Sequence, residues 1–210
     1  SGLSRTGWRA LASLSLKCGG AMRQGPLAFK AVHSPIGSAQ AFRHYFPMTV
    51  LTRYQMRMAW PDQDEELIAR LKVGCWREAY PGILPQSILD GLDVGRSVTE
   101  WARALRGGIA WIAEQMGEPV GFAHARGDEV TTLYVRQGDH GQGVGMALLL
   151  HCFDEVACLG YDRAYLWALE ENLKARRFYE RMGGRMVGRR PVGYRQYPDI
   201  MEVRYDFILD

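Results

Sequence analysis

Eight residues past the middle of the chain, Gly138-Asp139-His140-Gly141-Gln142-Gly143-Val144-Gly145, have the make-up of an anion site built from backbone. Gly141, Gly143 and Gly145 let the main chain turn tightly and approach a ligand without interference from a Cβ. The run Leu133-Tyr134-Val135 precedes the loop and a helical stripe follows it, so the glycines fall where a strand hands over to a helix. Amide N–H groups then converge at a helix N-terminus, whose unpaired donors and dipole attract phosphate. The Gly-Lys-Ser/Thr ending of a nucleotide-binding P-loop is absent. A dinucleotide fingerprint would sit after the first strand, with an acid about twenty residues on. This loop comes late in the chain. On these residues alone, a glycine-rich connector with no ligand would look the same.

A second segment, Asn172-Leu173-Lys174-Ala175-Arg176-Arg177-Phe178-Tyr179-Glu180, follows an apolar strand at 165–169. By composition, Phe178-Tyr179 reads as an aromatic pair at a helix end. Set beside the glycine loop, the segment resembles the GNAT superfamily of N-acetyltransferases. His140-Gly141-Gln142-Gly143-Val144-Gly145 resembles that family's diphosphate loop, and Asn172…Ala175…Phe178-Tyr179 resembles its Asn-x-x-Ala-x-x-Phe-Tyr signature. The run from Trp76 to Pro85 is similar to the first-helix region of a large bacterial subgroup. The resemblance covers about residues 54–207. Two positions depart from it: His140 replaces the usual Arg or Gln, and Gly183-Gly184 stands where Gly-Phe is common.

The resemblance implies an α/β (α+β) fold, with a mostly antiparallel central sheet of about seven strands, splayed between strands 4 and 5 and flanked by helices. It implies acetyl-CoA as cosubstrate, a primary amine as acceptor, direct transfer in a ternary complex and no metal. It assigns main-chain contacts with the pantetheine arm to Leu133, Tyr134 and Val135, the last polarising the acetyl carbonyl as a backbone donor aimed at a developing oxyanion. It assigns the diphosphate to residues 140–145, cofactor contacts to Asn172 and Ala175, and proton donation to the departing thiolate to Tyr179, which also lies against the cofactor. Trp76, Tyr80 and Ile83 fall where the family lines its acceptor pocket, and equally where a core needs large residues. The acceptor amine must lose a proton, which a positioned carboxylate takes directly or through water. Glu129, opening the strand that leads to the loop, is the first candidate and Glu170 the second. The family admits homodimers. A non-catalytic module that binds CoA and acts through protein partners would retain much of the same pattern.

These residues need a scaffold, and the chain supplies one from Tyr54 onward. A strand is expected at 54–59. A helix capped by Asp62, with Glu65 completing a capping box, carries the stripe Leu67, Ile68, Leu71, Cys75 and Ala79. A short helix is expected at 85–92, and another opened by Ser97 with Glu100, ending near Gly107-Gly108. Strands follow at 109–115, 120–126 and 130–135, with turns at Gly117-Glu118-Pro119 and Gly127-Asp128. The helix 144–159 carries Val144, Leu148, Cys152, Val156 and Leu159 on one face. Then come a buried strand at 164–169, a helix at 174–182 and two strands, the last with Met201, Val203, Tyr205 and Phe207 on one side.

Composition narrows the class. Hydrophobic residues make up 47% of the 210 and charged ones 23%, ordinary for a globular chain. The formal charge of +3 is unevenly placed. Residues 1–61 hold eight Lys and Arg and no acid, so the remaining 18 against 23 Asp and Glu leave about −5 on 62–210. An acidic domain argues against nucleic-acid binding. Cys18, Cys75, Cys152 and Cys158 lack metal-ligand spacing and fit free thiols in a reducing, cytoplasmic setting. Residues 1–47 read as an extension before an acetyltransferase domain at 48–210: a loose tail, a targeting segment or an upstream-frame product, with Met48 a plausible start.

Overall fold

The computed structural model describes residues 53–209, so the expected extension, with Cys18, lies outside the described residues. In chain order the elements are β1 (Gln55–Met58), α1 (Glu65–Ala79), α2 (Gln86–Asp90), α3 (Val94–Gly107), β2 (Ile109–Gln115), β3 (Glu118–Arg126), β4 (Glu129–Val135), a 3₁₀ turn at Gln137–Asp139, α4 (Val144–Cys158), β5 (Arg163–Leu169), α5 (Leu173–Arg181), β6 (Arg185–Pro191) and β7 (Met201–Ile208). The seven strands form one sheet ordered β1-β2-β3-β4-β5-β7-β6. Every pairing is antiparallel except β4 with β5. The expected architecture is therefore the observed one. Met116 (φ 53°) and Gly117 (φ 83°) make the β2–β3 turn, both left-handed as a two-residue hairpin demands.

Two helix starts differ from the sequence reading. Helix α1 begins at Glu65 with Asp64 at its N-cap, and Asp62 stands outside it with φ 67°. The Asp62 N–H still donates to the Glu65 carboxylate, the returning half of a capping box. The Asp64 carboxylate instead accepts from the Trp60 N–H at 2.8 Å and from Arg57 at 2.8 and 2.9 Å. Helix α3 begins at Val94, where Asp93 accepts from the Arg96 N–H at 2.7 Å. Ser97 is buried a turn inside it.

The sheet separates two apolar layers. Helix α4 packs Val144, Leu148, Leu149, Cys152 and Val156 against Ala123, Val130, Leu166 and Val203 on one face. Leu159, expected on that stripe, lies past the helix end and is 45% exposed. On the other face, Ile68 and Leu71 of α1 and Trp101 and Leu105 of α3 cover Ile112 and Phe122. A smaller cluster around Tyr80, Leu84 and Leu89 lies where α1 and α2 meet β4.

Strands β4 and β5 position the site by separating. Their only register pair is Glu129 with Tyr165, although each strand has seven residues. Beyond that pair the two diverge into a V, as the resemblance implies. β4 is also irregular on its other edge. Thr132 faces His124 and Val130 faces Ala125, so Thr131 is an extra residue without a partner opposite.

Candidate active site

A cavity of about 900 Å³ opens in the V. Residues 130–135 of β4 and 166–169 of β5 form its walls, the glycine loop lies at one end, and α1 and the β6–β7 connection border it elsewhere. Its position follows from the divergence of β4 and β5, which leaves strand edges for a ligand rather than for each other.

The glycine loop is braced from behind. The Tyr54 hydroxyl lies 2.8 Å from Gln142 Oε1 and 3.3 Å from a carboxylate oxygen of the buried Asp139. Gln142 Nε2 donates to the Gly138 carbonyl at 3.0 Å, and Arg136 donates to Asp139 at 3.1 Å. Gly141 (φ 74°) and Gly143 (φ 84°) are left-handed, and Gly143 is the N-cap of α4. Glycine is required there because other L residues are strained at such φ. His140, Gly141, Gly143 and Gly145 line the cavity. The Gln142 side chain is turned to the loop, and Val144 is buried in the core.

His140 bridges two elements. Its Nε2 lies 2.8 Å from the Val135 carbonyl oxygen, and its Nδ1 lies 2.6 Å from Lys174 Nζ at the start of α5. A carbonyl only accepts, so Nε2 carries the ring proton and Nδ1 accepts from the ammonium.

Asn172, Ala175 and Tyr179 all line the cavity. Asn172 Oδ1 accepts from the Ala175 N–H at 3.1 Å and caps α5. This capping role was absent from the sequence reading, although Asn followed by a helical stripe is an N-cap signal. Tyr179 is buried, and desolvation together with the neighbouring Tyr80 raises its phenol above the ordinary value. It therefore stays protonated through neutral pH.

Trp76, Tyr80 and Ile83 line the cavity and also pack in the small cluster, so the two sequence readings of these residues coincide in space. Trp76 and Tyr80 meet edge-on with centroids 5.1 Å apart, and Tyr134 lies 6.4 Å from each. The Tyr80 and Tyr134 hydroxyls are 3.2 Å apart, and burial raises both phenols. Leu133 and Val135 pack toward the α4 layer, Tyr134 toward the other.

The two carboxylate candidates separate. Glu129 lines the cavity, with its Oε2 accepting from the Tyr165 hydroxyl at 3.3 Å. Glu170 is held by Arg189 through both oxygens, at 2.8 and 2.7 Å, and the guanidinium lowers its pKa. It is not among the residues that line the cavity.

The sequence reading missed the connection from β6 to β7. Val192 and Tyr194 line the cavity, and the Tyr197 hydroxyl meets Ser87 Oγ of α2 at 2.5 Å. Alternation of Tyr, Gly and Pro in 191–198 marks a turn but carries no periodicity that would aim it at the site. Cys75 also lines the cavity, and burial pushes its thiol up to about 12. Among the described residues no group of three His, Cys, Asp or Glu is placed to hold a metal ion, and no helix is long and apolar enough to cross a membrane.

A seven-stranded sheet opened between β4 and β5, with a glycine loop feeding α4, defines an acyltransferase fold. The chain belongs to the acetyltransferase (GNAT) family, whose profile matches residues 73–184. It is 32% identical over 136 residues to the "Probable N-acetyltransferase Rv2775" of Mycobacterium tuberculosis, across 58% of this chain and 75% of that protein. The "Uncharacterized N-acetyltransferase YuaI" of Bacillus subtilis is 24% identical over 119 residues, across 52% of this chain and 69% of its own. Among solved structures, a GCN5-related N-acetyltransferase from Rhodopseudomonas palustris superposes with TM-score 0.66 at 21% identity, over 75% of this chain and 96% of that one. The Salmonella typhimurium acetyltransferase yncA, solved "with its cofactor Acetyl-CoA", gives 0.58 at 20% identity, over 75% and 95%. At such identities these structures speak to the fold.

Proposed function

We propose that this protein transfers the acetyl group of acetyl-CoA to a primary amine, directly, within a ternary complex. The observation that carries the reading is the open V of β4 and β5, with a left-handed glycine loop and a helix N-terminus at one end and a buried, protonated tyrosine in the wall. A structural relative is described with acetyl-CoA and another, from Thermoplasma acidophilum, with coenzyme A, which supports the same cosubstrate here.

The residues present suit that ligand. The amides of residues 141–145 and the start of α4 take the diphosphate. The β4 edge facing β5 gives main-chain groups at Leu133, Tyr134 and Val135 to the pantetheine arm, and the side-chain amide of Asn172 borders it. Acetyl-CoA supplies an activated thioester. Glu129, through water, accepts the proton that the amine gives up. Tyr179 donates its proton to the departing thiolate, and its raised pKa keeps that proton available. Among the described residues, Cys75 is the one cysteine at the cavity. With its thiol near 12, only about one part in 10⁵ is thiolate at pH 7. An acetyl-cysteine carrier is therefore disfavoured against direct transfer.

The test is an amine panel with free thiol as readout, spanning polyamines, aminoglycosides, amino acids and short peptides. Thiol release that depends on a primary amine is the expected result. Acetyl-CoA that binds while no amine in the panel accelerates thiol release would favour a CoA-binding module acting through partners.

A further inference from the structure

We propose that Lys174, held in place by His140, is the cation that clamps the diphosphate of the cosubstrate, supplying the side-chain contact that position 140 does not. The proposal rests on the acetyl-CoA reading above.

His140 has no free ring nitrogen. One is 2.8 Å from the Val135 carbonyl and the other 2.6 Å from Lys174 Nζ. The ring is a spacer, tying the end of β4 to a lysine on α5 and setting the ammonium beside the glycine loop. Both residues line the cavity. An ammonium has three protons, and one satisfies Nδ1, which leaves two for ligand oxygens.

The electrostatics of the position call for an anion. Lys174 is the second residue of α5, at the positive end of that helix's dipole, where a cation is disfavoured. The N-terminus of α4 adds a second positive end to the same cavity. Among the described residues, none of the ion pairs involves Lys174. Its one polar contact, the His140 imidazole, carries no negative charge to offset it.

Other cations near the cavity are occupied or distant. Arg136 beside the loop is paired with Asp139 at 3.1 Å. Arg190 is paired with Glu202 at 2.6 Å and stacked on Trp167 with its guanidinium carbon 3.7 Å from the ring centroid. Arg181 ends α5, roughly 10 Å further along the helix axis. Among the described residues that line the cavity, Lys174 is the cation left at the loop.

Calorimetric titration of three ligands into wild-type protein and Lys174→Met tests this. Acetyl-CoA and 3′-dephospho-CoA both contain the diphosphate; S-acetylpantetheine ends before it. The variant is expected to bind the first two about tenfold more weakly or worse, by similar factors, and the third unchanged. Unchanged S-acetylpantetheine binding also shows the variant to be folded. His140→Arg in the Lys174→Met background is expected to recover most of the loss. An equal loss on all three ligands, a loss confined to acetyl-CoA with its 3′-phosphate, or no loss would each overturn the proposal. Wild-type protein that binds none of the three would remove the acetyl-CoA reading and this inference with it. Wild-type binding with an unaffected variant removes the inference alone.

Discussion

The hydroxyl of Tyr80, just past the end of α1, lies 3.2 Å from the hydroxyl of Tyr134 on β4. This contact joins the helical layer to the strand that forms one wall of the cleft. Desolvation raises both phenols, so removing either hydroxyl takes a hydrogen-bond partner from the other in a poorly hydrated setting. Tyr134→Phe and Tyr80→Phe should each lower stability by about 1–2 kcal/mol in urea titrations. The double variant should lose less than the two single losses summed, because both changes remove the same bond. Strict additivity would mean the two hydroxyls do not share a bond.

Tyr179→Phe should reduce kcat roughly 100-fold with little change in KM for acetyl-CoA, since the ring and its packing remain. The pH profile gives a sharper check. Burial raises the Tyr179 phenol above its ordinary value, so the proton it donates is retained through and beyond neutral pH. Any alkaline fall in wild-type kcat assigned to this group should therefore lie above about pH 10. A fall near pH 8 that disappears in the variant would contradict the assignment.

Glu129 and Glu170 should part clearly in kinetics. Glu129→Gln should lower kcat/KM on the order of 100-fold. Glu170→Gln removes only a surface ion pair with Arg189 and should change it by less than about twofold. The reverse ranking would move the base role to Glu170, and parity would leave it to water.

His124 predicts an acid limb of stability. The ring is buried against Trp101, with Nδ1 2.6 Å from Thr131 Oγ1 and Nε2 3.2 Å from the Ala104 carbonyl. Desolvation lowers its pKa to about 4. The unfolded chain takes up this proton near pH 6.5 and the folded chain only near 4. Stability from this group is therefore full above 6.5 and lost as pH falls toward 4, by up to about 3 kcal/mol. Urea unfolding of His124→Gln at several pH values should show a correspondingly flatter acid limb. An identical limb in both proteins would place the titration elsewhere.

How much of this was legible beforehand depended on whether a signal was local. The loop 138–145 could be read because glycines that take positive φ act on their own neighbours, and the segment 172–180 because its Asn-x-x-Ala-x-x-Phe-Tyr spacing is contiguous. Helix α4 and strand β7 followed from periodicity over many residues. The cap at Asp62 was misread because the same Asp-x-x-Glu spacing serves a turn whose carboxylate at Asp64 is claimed by Arg57, a strand residue. The cap at Asp93 was passed over in favour of Ser97, which tertiary packing buries. Nothing local announces that Thr131 bulges out of β4, that Tyr54 braces Gln142 across 88 positions, or that Tyr197 reaches Ser87. These are contacts between elements, and one sequence holds no record of them.

The most direct test of the account is a thermal melt of the protein alone and with acetyl-CoA, CoA or NADPH. At a hundredfold excess over its dissociation constant, a ligand stabilises by about 2.7 kcal/mol. For a domain of this size that is a rise in Tm of roughly 5–10 °C. A rise of that order with acetyl-CoA and with CoA, and none with NADPH, is the predicted result. An unchanged Tm with all three, at millimolar ligand, would contradict a coenzyme A site between β4 and β5.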